Sequence, residues 1–211
     1  MRLVIFGPQG AGKGTQSERI AEKYGIPAIS TGEIFRTAQA AGTALGLKVF
    51  QYVDAGKLVP DELTIEVIRD RLSSADAGDG FLIDGFPRSI RQAEALDEIL
   101  AARGAGLDAA LVIEVPEEVS LRRLLGRRAC QECGRNYHLD SPPLSDWTCD
   151  RCGGKVVERA DDHEETIRKR LGLYHEQTEP LKAYYESRGL LRTVAGLGTP
   201  DEVFDRIAAS I

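Results

Sequence analysis

Leu3-Val4-Ile5-Phe6-Gly7-Pro8-Gln9-Gly10-Ala11-Gly12-Lys13-Gly14-Thr15 is the stretch on which the reading of this chain turns. Its first four residues are apolar, as a strand buried on both faces must be. A glycine-rich turn follows at once, and beyond Lys13 the residues Ile20, Ala21 and Tyr24 recur at helical spacing. A strand, a glycine loop and a helix N-terminus in that order make a cradle for phosphate. Glycines let backbone N–H groups converge on an anion, the helix dipole favours it, and the lysine adds a point charge. The pattern G-x-x-x-x-G-K-[ST] is met except in its last place, where Gly14 stands and Thr15 follows one residue later. A flexible turn with a surface lysine is the plainer reading of the same letters. The strand before it and the helix after it favour the cradle, and predict a protein that binds nucleotide phosphates.

Working outward, apolar runs alternate with helical periodicity. Pro27-Ala28-Ile29-Ser30 predicts a second strand, and Thr31 the cap of a helix carrying Ile34, Phe35 and Ala38. Leu47, Phe50 and Val53 predict another helix ending near Gly56, and Pro60-Asp61 opens one through Ile65, Ile68 and Leu72, with Asp61 as its cap. Phe81-Leu82-Ile83-Asp84, Ala109 to Val115 and Leu190 to Val194 complete the strands. Between them lie helices carrying Ala93, Leu96 and Leu100, then from Pro116 to about Arg128, and from Asp161 to about Ser187 with a kink at Pro180. Thr199-Pro200 opens a last helix. This alternation predicts the α/β class: a five-stranded parallel sheet of the P-loop nucleoside-triphosphate-binding kind, covered by helices on both faces. The predicted core comprises 1–30, 60–128 and 160–211. Residues 31–59 form a small helical insertion, and 129–159 a cysteine-bearing lid.

A chain of 211 residues with 42% hydrophobic and 28% charged residues has the composition of an ordinary globular protein. Its net charge of −6 argues against a general role on nucleic acid or at a membrane surface. No apolar run approaches bilayer-spanning length. With a strand starting at residue 3 there is no room for a signal peptide, so the cytoplasm is the expected compartment.

Asp84 ends an apolar strand, where open α/β sheets place their ligands, and beside a phosphate loop such a carboxylate organises a hydrated Mg²⁺. The alternative for Asp84 is a turn or capping role. Arg88 and Gln92 are spaced four apart, as on one helix face, and so are Arg123 and Arg127. Arg159 and Arg170 flank the start of the long helix, and Arg36 lies in the helical insertion. Any one arginine is ordinarily a solvated surface residue. Several from different segments are what two phosphate-bearing substrates require.

Cys130-x-x-Cys133 and Cys149-x-x-Cys152, fifteen residues apart, match the spacing of a tetrahedral zinc site. Two disulfides are the rival reading, disfavoured in a reducing compartment. Four thiolates close the shell, so the zinc would be structural. The three histidines, at 138, 163 and 175, have no recognisable nucleophile partner. His138 is either a polar surface residue beside Tyr137 or a nucleotide contact.

Taken together the chain resembles the adenylate kinases, of the long-lid, zinc-binding bacterial type. The resemblance spans essentially the whole length and rests on motifs in order. These are Gly7 to Thr15, Ser30-Thr31-Gly32, Asp54-Ala55-Gly56-Lys57-Leu58-Val59, Asp84-Gly85-Phe86-Pro87-Arg88, Gly126-Arg127-Arg128, and Arg159 through Arg170. It implies reversible phosphoryl transfer from MgATP to AMP, giving two ADP, by a monomer. By the same resemblance Gly10, Ala11, Gly12, Lys13, Gly14 and Thr15 hold the ATP phosphates, with Lys13 bridging the transferred group. Thr31, Arg36, Lys57, Leu58, Val59, Gly85, Phe86, Pro87, Arg88 and Gln92 hold AMP. Arg123 and Arg127 approach the donor from the core side, and Arg159 and Arg170 clamp phosphates on closure. Asn136, Tyr137 and Gly198 line the donor base, and Asp161 and Asp162 order the arginines. The loop departs from the more familiar Ala-Pro or Pro-Pro at Pro8-Gln9. Rival readings are a kinase for another nucleoside monophosphate or with GTP as donor, and a phosphate-loop switch or zinc-ribbon binder without phosphotransfer.

Overall fold

The computed structural model describes residues 1–54, 57–159 and 161–211. The chain runs β1 (Arg2–Phe6), α1 (Lys13–Tyr24), β2 (Ala28–Ser30), α2 (Thr31–Ala40), α3 (Ala44–Asp54), α4 (Asp61–Leu72) and β3 (Phe81–Asp84). It continues through α5 (Ile90–Ala101), β4 (Ala109–Glu114), α6 (Glu117–Leu125), β5 (Arg127–Cys130), β6 (Asn136–His138) and β7 (Val156–Val157). It ends with α7 (Glu164–Leu173), a π-helical turn (Tyr174–Thr178), α8 (Leu181–Glu186), β8 (Leu191–Ala195) and α9 (Pro200–Ala208).

Five strands form one sheet in the order β2-β3-β1-β4-β8, every neighbouring pair parallel, as the alternation predicts. Strand β1 lies in the middle because both its faces are apolar. Val4 and Phe6 join Ile83, Val112 and the inner faces of α4, α5 and α8 on one side. Leu3 and Ile5 join Leu82, Ile113, α1 and α9 on the other. The carboxyl ends of β1 and β3 therefore open onto the same edge, each followed by a loop. Helix α9 begins with a reciprocal cap between Thr199 and Glu202, as Thr199-Pro200 predicts.

Two excursions leave this core. Helices α2 and α3 pack through Phe35, Val49 and Val59. They cross so closely that a Cβ on Gly46 would stand 2.1 Å from the Ala38 carbonyl oxygen. Strands β6-β5-β7 form a small antiparallel sheet around the cysteines.

Several local expectations are corrected. Ser30, not Thr31, caps α2, its hydroxyl accepting from Glu33 N–H at 3.3 Å; Thr31 is the first helical residue. Asp61 does not cap α4, since its carboxylate is turned toward Ser89 and Gln92. Helix α6 stops at Leu125, short of Arg128, because the chain after Gly126 pairs with Asn136–His138 as a strand. Arg127 therefore does not share a helix face with Arg123. Arg88 lies before Ser89, the cap of α5, so Arg88 and Gln92 meet across a helix start and not along a helix. The long helix begins at Glu164 after His163, not at Asp161, and Arg170 sits near its C-terminal end, not at its start. The expected end of α3 near Gly56 lies outside the described residues.

Candidate active site

The loop after β1 is set by a tight turn. Ala11 N–H donates to the Pro8 carbonyl at 3.2 Å, and Gly10 takes the positive φ of 81° that this turn requires at its third position. Lys13, the first residue of α1, is half-buried and folds back over the loop, its Nζ 2.8 Å from the carbonyls of Gly7 and of Pro8. Burial pushes its pKa down to about 8, and the nearby charges of Arg88, Arg170 and Arg127 push the same way while Asp84 opposes them. Arg123, from the last turn of α6, backs the loop, reaching the Gly10 carbonyl at 3.4 Å and the Gly196 carbonyl at 3.0 Å. The lid comes close on the other side, because a Cβ on Gly14 would stand 3.6 Å from Asn136 Nδ2.

A cation cluster lies beyond the lysine. Arg127 clasps Asp162 with Nε at 2.7 Å and Nη2 at 2.5 Å. Arg159 clasps Asp161 with two bonds of 2.9 and 2.8 Å, and Arg170 reaches Asp161 at 2.9 Å and Asp162 at 3.5 Å. Asp161 lies well below the usual carboxylate range. Its burial would raise it, but Arg159 and Arg170 together more than offset that. Burial lowers Arg36 and Arg170 to about 10 each; Arg159 and Arg127 push Arg36 further down, and Asp161 opposes in both. Arg88 is also lowered, again by burial first. Positive charge has thus been gathered here faster than the carboxylates answer it.

Arg159, Asp161 and Arg170 of this cluster form one wall of a cleft open to solvent. Thr31, Arg36, Lys57, Leu58, Val59, Gly85, Arg88, Gln92, Arg159 and Arg170 all line it. Arg88 is aimed by its Nε bond of 2.7 Å to the Gly85 carbonyl and by Thr178, whose hydroxyl donates to the Arg88 carbonyl at 3.0 Å. Gln92 is buried, its Oε1 accepting from Arg88 N–H at 2.8 Å and its Nε2 donating to Asp61 at 2.6 Å. Phe86 and Pro87 are buried under the turn, and do not line the cleft. Lys13 and the residues flanking it lie outside that lining, on the loop side, and Gly198 is exposed in the loop after β8. Six further lining residues, Gln9, Phe35, Thr64, Leu173, Tyr174 and Thr178, escape sequence reading as ligand contacts, since a turn position, apolar and aromatic side chains and two threonines carry no spacing signal for a ligand.

In the lid the four cysteine Sγ atoms lie within 4.8 Å of one another, with Cys130–Cys152 at 3.5 Å and Cys133–Cys149 at 3.6 Å. Thiolates around one tetrahedral zinc stand about 3.8 Å apart, so the donor set and its spacing fit that ion. The Tyr137 hydroxyl donates to Cys149 Sγ at 3.4 Å and accepts from Asp150 N–H at 2.9 Å. That hydroxyl is the first cause of the drop in the Cys149 pKa to about 6, toward the thiolate a metal needs. His138 is half-buried: its Nδ1 accepts from Asp140 N–H at 3.1 Å, and its Nε2 is buried over Gly126.

Comparison with known proteins matches residues 5–190 to the family model described as adenylate kinase. The adenylate kinase of Thermodesulfovibrio yellowstonii is 51% identical over 210 residues, covering 99% of this chain and 98% of that protein. That of Clostridium tetani is 50% identical over 209 residues, covering 99% and 97%. That of Symbiobacterium thermophilum is 50% identical over 212 residues, covering 100% and 96%.

Proposed function

The chain belongs to the adenylate kinase family, and on that premise we propose how its cleft divides the work of moving a phosphoryl group between ATP and AMP. The protein is a phosphotransferase, and the reaction is reversible, giving two ADP. The observation that carries the assignment of roles is the convergence of Arg36, Arg88, Arg159 and Arg170, from separate segments, on a single opening, with Lys13 and Arg127 close enough to share their field. Planar forks approaching from several directions suit a group whose charge spreads over three oxygens.

Gly10 to Thr15 hold the donor phosphates by backbone N–H groups, and Lys13 leaves the Gly7 and Pro8 carbonyls to bridge the transferred group. Arg123 and Arg127 meet the donor from the core side, with Asn136, Tyr137 and Gly198 about its base. Thr31, Arg36, Lys57 to Val59, Gly85, Arg88 and Gln92 hold AMP, whose edge competes with Asp61 for the Gln92 amide, while Phe86 and Pro87 support the turn from beneath. Arg159 and Arg170 bind phosphate when it displaces Asp161. AMP is already ionised near neutrality, so no general base is needed, and catalysis is positioning plus charge stabilisation.

Asp84 offers the hard oxygen expected to hold the water shell of nucleotide-bound Mg²⁺, which when bound neutralises charge between the transferring phosphates. Cys130, Cys133, Cys149 and Cys152 hold structural zinc. The core spans 1–30, 60–128 and 160–211, with 31–59 and 129–159 as two covers that exclude water from a reaction that would otherwise hydrolyse ATP. We place the protein in the cytoplasm as a monomer. No helix among the described residues is long and apolar enough to cross a membrane.

The test is a coupled assay of the purified protein with MgATP and each nucleoside monophosphate in turn. ADP formation that requires both AMP and Mg²⁺ supports the reading. ATP loss indifferent to AMP would remove the acceptor site.

A further inference from the structure

The second position of the loop turn is occupied by a residue that the turn itself does not call for. Pro8, Gln9, Gly10 and Ala11 form a turn closed by the 3.2 Å bond from Ala11 N–H, with Gly10 at φ 81°. In such a turn the second position favours proline, whose fixed φ pre-forms the bend. Gln9 instead places a long carboxamide there. Gln9 lines the same cleft as Arg36, Arg88, Arg159 and Arg170, and its Oε1 is buried with no hydrogen-bond partner among the described residues.

A buried carboxamide oxygen without a partner costs stability, so one on a residue that lines a ligand cleft marks a position where a ligand can complete the bonding. The two ends of a carboxamide are told apart only by their partners, and a half-turn about the last torsion exchanges them. Against an anion the N–H₂ end is the one that turns inward.

We propose that Gln9 is a further acceptor-binding residue: its carboxamide N–H donates to a phosphate oxygen of AMP, tying the acceptor to the loop that carries the donor. The inference rests on the assignment of this cleft to AMP. Gln9 spans the boundary between the two halves of the site, since its backbone belongs to the donor loop and its side chain to the acceptor cleft. The bond fixes the distance between the attacking oxygen and the phosphorus it attacks, the quantity on which positioning depends most steeply.

The experiment compares the full-length, metal-loaded protein with Gln9→Pro, Gln9→Leu and Gln9→Glu, measuring kcat and KM for AMP and for MgATP separately. Proline suits the turn and removes the amide, so its melting temperature should equal or exceed that of the parent. A lost bond to a charged oxygen is expected to lower kcat/KM for AMP about tenfold or more in Gln9→Pro and Gln9→Leu. KM for MgATP should stay within about twofold. Gln9→Glu, of equal size but turning a carboxylate on the phosphate, should fall further than either. Gln9→Pro with an unchanged kcat/KM for AMP overturns the proposal. So does Gln9→Glu no worse than Gln9→Pro, or an equal loss for both substrates. Failure of the AMP assignment itself would appear separately, as a parent protein whose turnover ignores AMP.

Discussion

Arg127 and Asp162 are locked by two parallel bonds across the root of the lid, and Asp162 is only 1% exposed. Removing one partner of such a pair strands the other charge in a poorly solvated place. Asp162→Asn is expected to lose about 3–5 kcal/mol in chemical denaturation, more than any surface pair in the molecule. It should also raise KM for ATP, because Arg127 loses the support that aims it. An unchanged denaturation midpoint would mean that the pair is dispensable.

Lys13 gives a pH dependence with a definite sign. Its pKa in the free protein, about 8, lies below the usual lysine value, so folding expels a proton between pH 8 and about 10.4. Stability from this group therefore rises as pH climbs through 8, and is lowest below it. A bound triphosphate reverses the balance by favouring the ammonium. At pH 8, binding should take up about half a proton at this residue. Calorimetric titrations in buffers of different ionisation enthalpy would read that uptake, and Lys13→Met should abolish it.

Arg88 is held by the Gly85 carbonyl and by the chain around Thr178, with no salt bridge among the described residues. Arg88→Ala is expected to cut turnover by about 10³-fold, by analogy with arginine fingers, with melting temperature and metal content unchanged. Arg88→Lys should recover little, because a point charge cannot reproduce a planar fork. Near-normal turnover in Arg88→Ala would remove this residue from the site.

Trp147, the one tryptophan of the chain, packs against the cysteine cluster with Tyr137. Stripping metal with a chelator should therefore shift its emission, and a chain of this size should lose about 2–4 °C in Tm for each kcal/mol forfeited. Cys149→Ser should reproduce the shift without chelator. Tyr137→Phe should keep the metal but release it faster, as the hydroxyl bond to Cys149 is gone. Emission blind to chelation would mean that the four thiols hold no ion.

The inner strands β1, β3 and β4 were legible because each is buried on both faces, which forces a continuous apolar run, and the cysteines because metal spacing is local. What escaped depends on partners far along the chain. Asp61 has the letter of a helix cap, yet its carboxylate is drawn 31 residues away to Gln92, where a buried amide offers two donors. Arg127 keeps helical spacing from Arg123, but strand pairing with Asn136–His138 takes over after Gly126. Periodicity cannot see a competing hydrogen-bond ladder. Gln9 stands out in the sequence only as a departure within the loop; its place on the cleft needs the structure.

The arginine-rich cleft has a consequence for the molecule as seen from a distance. The chain as a whole carries −6, yet Lys13, Arg36, Arg88, Arg127, Arg159 and Arg170 sit within one another's fields, facing Asp84, Asp161 and Asp162. The rest of the surface must then be more acidic than the net charge suggests. A mononucleotide can sink its entire charge into the well, out of reach of the exterior. A long polyanion would have to lay most of its phosphates along the acidic rim, so the charge pattern sorts anions by length before any base is read.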